Sequence, residues 1–266
     1  MKNLDAINPS FARPSAFIAL GSLLPLLTSL VGVGFAVGAA PDLAVVRNPV
    51  ALFCLAISVA SCAMLIIPRL MRWDWRAGYF GFSLLYILSI SLIGGIPWLC
   101  LLVFSSASLW LRCLLFSLHT LTLLWWAGRY ASLYRKVFAT DALRQSVYVE
   151  DDDCIYYLQK GDRMVLDKIC DFKEFPPTLF VLSTLAVSGA SMLYAGDLVA
   201  FFGLPYAHIF LAILGISVNM IGVGFAARGW LIFYKYPRML RRKTGKQVYV
   251  DMVSKPASQA KTKARA

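Results

Sequence analysis

Polar side chains within long apolar segments are the first candidates for chemistry in this chain. Arg112, His119 and Asn219 each lie in such a segment. An ionisable side chain is costly to keep inside a membrane, which makes it a candidate functional site. Arg112 and His119 are about two helical turns apart, so one helix face could present both to an anionic headgroup or along a polar path. In the structural alternative, Arg112 extends to the outer surface and His119 is satisfied within the bundle.

A run of acidic residues is the second candidate site. It follows a Val-Tyr-Val triplet in a charged stretch between two apolar segments, and it consists of Glu150, Asp151, Asp152 and Asp153. Neighbouring carboxylates attract a cation or a basic protein surface, so we interpret the run as a candidate partner-docking site. The structural alternative is a solvated turn.

Basic and aromatic residues are concentrated after the last apolar segment. Aromatic residues between Trp230 and Tyr236 precede a basic cluster made of Arg238, Arg241, Arg242 and Lys243. Aromatic rings settle at the level of the lipid headgroups, and each basic side chain is attracted to anionic lipid by about 1 kcal/mol. The cluster therefore predicts contact with headgroups of the inner leaflet. The sequence contains no recognised nucleic-acid-binding module, so nucleic acid is not an expected partner.

The remaining reactive side chains form no catalytic or metal-binding pattern. Ser188, Ser191 and His208 offer a nucleophile and a base, but small residues in membrane helices usually serve close packing. Two histidines on different segments and six scattered cysteines lack the spacing of metal ligands. No Asp or Glu falls in the middle of an apolar segment, which disfavours an ion-coupled transporter. We therefore expect a protein that is not an enzyme and holds neither a cofactor nor a metal.

Membrane helices must position these residues, because the chain is too apolar for a water-soluble fold. Its 266 residues are 59% hydrophobic and 15% charged, with a mean hydropathy of +0.67. Charged residues make up about 25% of a typical soluble domain. A membrane helix needs about 20 apolar residues. Four segments clearly meet this requirement: 15–40, 49–68, 177–196 and 205–227.

The apolar block between Arg76 and Arg129 is long enough for two further passes and contains one charged residue, Arg112. The sequence Gly94-Gly95-Ile96-Pro97 could turn the chain there. It could also kink a long third helix whose turn comes later, because glycine relaxes steric limits and proline removes a backbone donor. Both alternatives give six passes.

The distribution of Lys and Arg predicts the orientation of these passes. With both termini in the cytoplasm, 24 of the 26 basic residues are cytoplasmic, and only Arg47 and Arg112 lie outside or within the membrane. Cytoplasmic loops carry this excess. Compactness and short outer loops favour a bacterial inner membrane. Residues 1–40 could instead be a cleaved signal, but their apolar stretch exceeds the roughly 7–15 residues of a typical signal core.

The charged stretch between the fourth and fifth spans has the pattern of β-strands. Residues 147–149 and 155–158 are β-branched or aromatic, Lys160-Gly161 suits a tight turn, and 164–166 is the expected returning strand. A lone hairpin is only marginally stable in water. We therefore expect it to pair with "QVYVDM", residues 247–252, which is similar to "SVYVED", residues 146–151. The alternative is that segments beside a membrane commonly collect such residues.

The predicted fold class is an all-α polytopic membrane protein. A six-helix transmembrane bundle carries a small cytoplasmic α/β element, a β-hairpin, between spans 4 and 5. The predicted parts are spans 1–4 (1–128), a cytoplasmic loop (129–176), spans 5 and 6 (177–227) and a basic cytoplasmic tail that is disordered at its end (228–266).

The expected function is protein interaction without catalysis. The chain would be a membrane component of a larger envelope or secretion assembly, or an immunity protein against a membrane-active toxin. Its expected partners are a protein at the cytoplasmic face and anionic inner-leaflet lipid. Small-residue pairs such as Gly34 and Gly38 also allow a homo-oligomer. The alternative function is a transporter or channel for small molecules or lipids, built around Arg112, His119 and Asn219.

Overall fold

A computed structural model describes residues 14–170, 172 and 175–254. Residues 1–13, which begin the segment considered as a cleaved signal, lie outside these described residues. Residues 255–266, at the end of the tail, also lie outside them. The helices are α1 (Pro14–Ala39), α2 (Pro49–Leu70), α3 (Ala77–Phe80), α4 (Tyr86–Phe104), α5 (Leu109–Ala139), α6 (Asp141–Val147), α7 (Gln159–Met164), α8 (Thr178–Ser191), α9 (Ala195–Phe202), α10 (Tyr206–Trp230) and α11 (Tyr236–Thr244). The strands are β1 (Tyr148–Glu150), β2 (Cys154–Leu158) and β3 (Gln247–Asp251).

Several helices are long and apolar enough to cross a membrane, which is consistent with a multi-pass membrane protein. Among the described residues there are five: α1, α2, α5, the α8–α9 segment Thr178–Phe202 and the α10–α11 segment Tyr206–Thr244. A sixth is obtained if the bent pair Ala77–Leu85 and Ser89–Phe104 forms one span. The two parts of this pair meet at an angle of 51°.

The open question about Gly94 to Pro97 is answered by α4. This helix continues through all four residues and ends at Phe104, and Ser108 then caps the start of α5 by accepting a hydrogen bond from the Leu111 amide. The chain therefore turns after residue 104 rather than at Gly94. Gly94 serves the close packing of α4 on α10 instead of chain reversal.

Helix α4 contacts both α1 and α10 and thereby connects the helices of the bundle. Helix α1 lies against α2 and α4, while α10 lies against α4, α5 and α8. The side chain of Asn48 caps α2 through the Ala51 amide and also donates to the Ala36 carbonyl of α1, so one residue starts a helix and fixes its neighbour. Ser29 and Ser58 add a hydrogen bond of 2.7 Å between α1 and α2. Such polar contacts hold helices together where the surroundings are apolar.

The predicted pairing of the loop and tail strands is confirmed. The three strands form one sheet in the order β1-β2-β3. Strand β1 pairs with β2 in antiparallel register, with Tyr148 opposite Tyr157. Strand β3 from the tail pairs with β2 in parallel register, with Tyr156 opposite Tyr249. The two similar segments therefore flank the same central strand on opposite sides.

The predicted position of the hairpin turn is wrong. The turn lies at residues 151–153, where the Asp151 amide donates to the Cys154 carbonyl and the Asp152 amide donates to Asp151 Oδ1. Aspartate favours such turns because its side chain bonds nearby backbone amides. Lys160 and Gly161 belong to α7, and residues 164–166 are helical rather than a returning strand. Gly161 is buried against the backbone carbonyl of Ser146, so its small size serves close packing.

Both long helices beside this sheet extend past the predicted span ends. Helix α5 continues to Ala139, and α10 leads through a π-helical segment, Leu231–Lys235, directly into α11. We call residues 141–170 and 245–254 the polar lobe. Its core combines strand residues such as Ile155 and Val250 with Tyr134 of α5 and Phe233, so the lobe and these helices share one hydrophobic core.

Candidate functional site

A buried ion pair connects the polar lobe to the helices. Asp162 of α7 is 1% exposed, and its Oδ2 accepts hydrogen bonds from Arg228 Nη2 at 2.7 Å and Nε at 3.2 Å. The phenol of Tyr134 donates to Asp162 Oδ1 at 2.7 Å, and that of Tyr157 donates to Oδ2 at 2.8 Å. Side chains from α5, β2 and α10 therefore all donate hydrogen bonds to one carboxylate.

The sequence analysis did not identify Asp162 as a site residue. Its neighbours Lys160 and Arg163 are exposed, so the local sequence resembles a solvated turn. The partner Arg228 is 66 residues away, and only the fold brings the two together. The sequence features that could have indicated this ion pair are one acidic residue in α7 and one basic residue at the end of the last apolar segment. A satisfied buried carboxylate of this kind most often fixes a conformation, and it offers no free oxygen to a substrate.

A third buried phenol joins the sheet to the π-helical segment after α10. Tyr148 on β1 donates to the Ile232 carbonyl at 2.6 Å. Burial raises the pKa of Tyr148 well above the ordinary value of 10.0, and the Asp162 carboxylate raises it further. Burial, followed by the charge of Asp162, also raises the pKa of Tyr157. Both phenols are therefore protonated and act as donors at neutral pH.

These raised pKa values predict that the polar lobe loses stability in alkali. A phenol that is protonated in the fold stabilises it fully below the unfolded pKa of about 10, and this contribution is lost as the pH rises through the folded pKa. We expect Tyr148→Phe to reduce the fall in unfolding free energy between pH 9 and pH 11. Hydrogen exchange of the β1 and β2 amides in detergent measures this fall. Tyr194→Phe is the control, because the Tyr194 ring is exposed and lies outside the lobe. An identical fall in wild type and Tyr148→Phe would contradict the prediction.

The acidic run lies at the tip of the hairpin. Glu150 accepts a hydrogen bond from Lys246 Nζ at 2.8 Å, and the same ammonium donates to the Asp151 carbonyl at 2.9 Å. The hydrogen bond to Glu150 raises the pKa of Lys246. Asp152 and Asp153 are exposed. Lys246 therefore lies beside Glu150 and Asp151, while Glu150, Asp152 and Asp153 all face solvent.

The intramembrane candidates separate into one pair and one remote residue. His119 Nε2 lies 3.1 Å from Asn219 Nδ2, and its ring stacks on Trp98 at 4.5 Å between centroids. His119 Nδ1 and Asn219 Oδ1 are buried and have no hydrogen-bond partner among the described residues. Arg112 does not join them. Its Nη1 donates to the carbonyls of Leu102 and Val103 and thereby caps the end of α4.

The predicted headgroup-binding residues lie on the exposed side of α11. Arg238, Arg241, Arg242 and Lys243 are all exposed. With the Gln247 amide oriented toward it, Arg241 donates through Nε and Nη2 to the Gln247 side-chain oxygen at 3.1 Å. This contact fixes the direction of one guanidinium at the edge of β3.

The residues considered for catalysis are not brought together. Ser188 donates to the Thr184 carbonyl, and Ser191 bonds Tyr206, whereas His208 Nε2 lies 2.8 Å from the Phe35 carbonyl. Within the described ranges, no three His, Cys, Asp or Glu side chains are grouped as metal ligands. The predicted absence of an enzyme activity stays a prediction.

Comparison of the chain with protein-family models, with curated proteins and with solved structures finds no match in any of the three.

Proposed function

We propose that the chain is a non-enzymatic, multi-pass protein of a bacterial inner membrane that binds a protein partner through its polar lobe. The partner would belong to an envelope or secretion assembly, or would be a membrane-active toxin that the chain neutralises. The distribution of basic residues, with 24 of 26 on one side, supports placing the lobe in the cytoplasm.

The observation that carries this proposal is the fixed presentation of the acidic turn. The hairpin bearing Asp152 and Asp153 is paired with β3. Its strand β2 is also bonded to the buried Asp162 through Tyr157. A rigid surface loses little conformational entropy when it binds, and exposed carboxylates steer a basic partner toward it. Asp152 and Asp153 are exposed at the tip of this hairpin, where a partner can reach both carboxylates.

Reversing the exposed charges should remove the partner. We expect Asp152→Lys with Asp153→Lys to lower the amount of partner that co-purifies by roughly tenfold or more, because like charges facing each other across an interface cost several kcal/mol. The tagged protein is extracted from native membranes in mild detergent, and bound proteins are quantified by mass spectrometry.

The matched control reverses Asp42, an exposed acid in the loop between α1 and α2 at the opposite end of the bundle. Asp42→Lys should leave the captured amount unchanged. Equal losses in the two variants, or none in either, would count against docking at the hairpin tip.

A transporter or channel is the second candidate function, and the buried pair of His119 and Asn219 is the observation that favours it. Polar groups of this kind within a bundle can line a path for a solute. In this case Asn219→Leu should abolish solute flux into reconstituted vesicles. Flux that survives the substitution would remove this candidate.

A further inference from the structure

A basic groove lies where the last helix leaves the bundle. One wall is the segment from Arg76 to Phe82, and the other runs from Trp230 to Arg242. Gln247 and Val248 of β3 close one end. The volume of the groove is about 810 Å³. The two walls belong to different parts of the chain, so only the folded protein creates this space.

The charge of the groove is strongly one-sided. Its basic lining residues are Arg76, Lys235, Arg238, Arg241 and Arg242. In the described part of the chain, none of the lining side chains is acidic. Asp74 nearby pairs with Arg76 at 3.0 Å, so its charge offsets one of the five cations. Arg238 and Arg242 form no ion pair with any described residue. About four positive charges are thus left for a ligand.

Aromatic side chains line another part of the groove. Trp230, which is 62% exposed, stacks on Tyr234 at 5.3 Å, and Phe82 meets the Tyr234 ring edge-on at 6.2 Å. Tyr79 stacks on Trp73 at 4.9 Å on the opposite wall. Aromatic rings of this kind occupy the boundary between headgroups and acyl chains. The groove therefore has an apolar part beside the bundle and a cationic part beside the polar lobe.

We propose that this groove binds one phospholipid with two phosphates, a diphosphatidylglycerol, from the leaflet on the side of the polar lobe. Guanidinium groups bind phosphate oxygens through paired hydrogen bonds, and a basic pocket between helices suits such headgroups. About four cations balance two phosphates better than one. Phe82 and Trp230 contact the glycerol backbone and the first methylenes of the acyl chains. With its amide oxygen turned toward Arg241, Gln247 accepts from this guanidinium at the end of the groove.

A defined site and general attraction to anionic lipid depend on different basic residues. General attraction depends on every exposed basic side chain near the surface, whereas a groove depends on those that line it. Arg135 and Lys136 on α5 are both exposed, and neither lines the groove. Two pairs of substitutions with equal loss of charge therefore separate the two situations.

The test titrates the full-length protein in neutral detergent with diphosphatidylglycerol and follows lipid binding by native mass spectrometry. We expect one bound lipid per chain, with an affinity at least tenfold above that for phosphatidylglycerol. The double variant Arg238→Gln with Arg242→Gln should bind roughly thirtyfold more weakly, since two headgroup contacts are lost. Arg135→Gln with Lys136→Gln should bind like wild type.

Three results would overturn the proposal. Equal weakening in the two double variants would mean general electrostatic attraction. Equal affinity for diphosphatidylglycerol and phosphatidylglycerol would mean that the second phosphate is not recognised. Displacement of the lipid by an equal concentration of inorganic pyrophosphate would mean that the site takes a soluble phosphate rather than a lipid. Circular dichroism of each variant confirms that the helices are retained.

Discussion

Asp162→Ala is expected to destabilise the polar lobe by about 3–5 kcal/mol, the usual effect of removing one partner from a buried ion pair. The substitution leaves Arg228, whose side chain is 13% exposed, without its carboxylate, and it also removes the acceptor of the Tyr134 and Tyr157 phenols. Three donors lose a partner in one step. The lobe should then open without the helices unfolding.

Hydrogen exchange of the β2 and β3 amides in detergent measures this opening. Thiol labelling of Cys154 and Cys170, which are both half-buried, gives a second readout. Asp141→Ala is the control, because it breaks the pair of Asp141 and Arg144, in which Asp141 is 77% exposed. An exposed pair contributes only about 0–1 kcal/mol. Similar protection in Asp162→Ala and Asp141→Ala would refute a central role for Asp162.

A double-mutant cycle then distinguishes the ion pair from simple packing. Asp162→Leu combined with Arg228→Leu should cost less than the sum of the single substitutions, because an apolar pair leaves no buried charge unpaired. Additive losses would show that the two side chains act independently.

Gly94→Ala has the second large expected effect, a loss of about 1–3 kcal/mol of bundle stability. A Cβ at this position would lie 2.5 Å from the Gly215 carbonyl oxygen and 2.6 Å from Asn219 Oδ1. Helices α4 and α10 would have to move apart, and the contact between His119 and Asn219 would be disturbed. Thermal unfolding in detergent measures the loss.

The neighbouring residue provides a matched control for this substitution. The heavy atom nearest to a Cβ at Gly95 would be Asn219 Oδ1 at 4.0 Å, which is ordinary contact. Gly95→Ala should therefore be neutral or stabilising by up to about 1 kcal/mol, since alanine favours a helix more than glycine does. A lower melting temperature for Gly95→Ala than for Gly94→Ala would contradict the packing of α4 on α10.

Much of the architecture could be predicted from hydropathy, because a membrane helix needs a long apolar segment and that requirement is local. Pairing of the tail strand with the loop could also be anticipated from the similarity of residues 146–151 and 247–252. The position of the hairpin turn could not. Glycine at 161 indicated a turn, whereas its small size is used for contact with Ser146. Three consecutive aspartates form the actual turn.

The candidate site was less predictable than the fold. His119 and Asn219 stood out as polar residues in apolar segments, and the structure places them in contact. Arg112 stood out for the same reason but caps the end of α4. Asp162 could not be recognised, because its environment is assembled from helices and a strand far apart in the sequence. Spacing along one helix predicts a shared face, but it does not predict which other helix covers that face.

The parallel pairing of β2 with β3 also sets the order in which the lobe can be completed during synthesis. Leu158 of β2 is synthesised before Asp251, its partner in β3. The helical segments Thr178–Phe202 and Tyr206–Thr244 are synthesised between them. At about 5–20 residues per second, β2 waits roughly 5–20 s for its neighbour. Arg228 is also made after Asp162, so the carboxylate has no cation until the last helix emerges. Until the tail folds back, the nascent chain presents an open strand edge, which is a site for pairing with another strand.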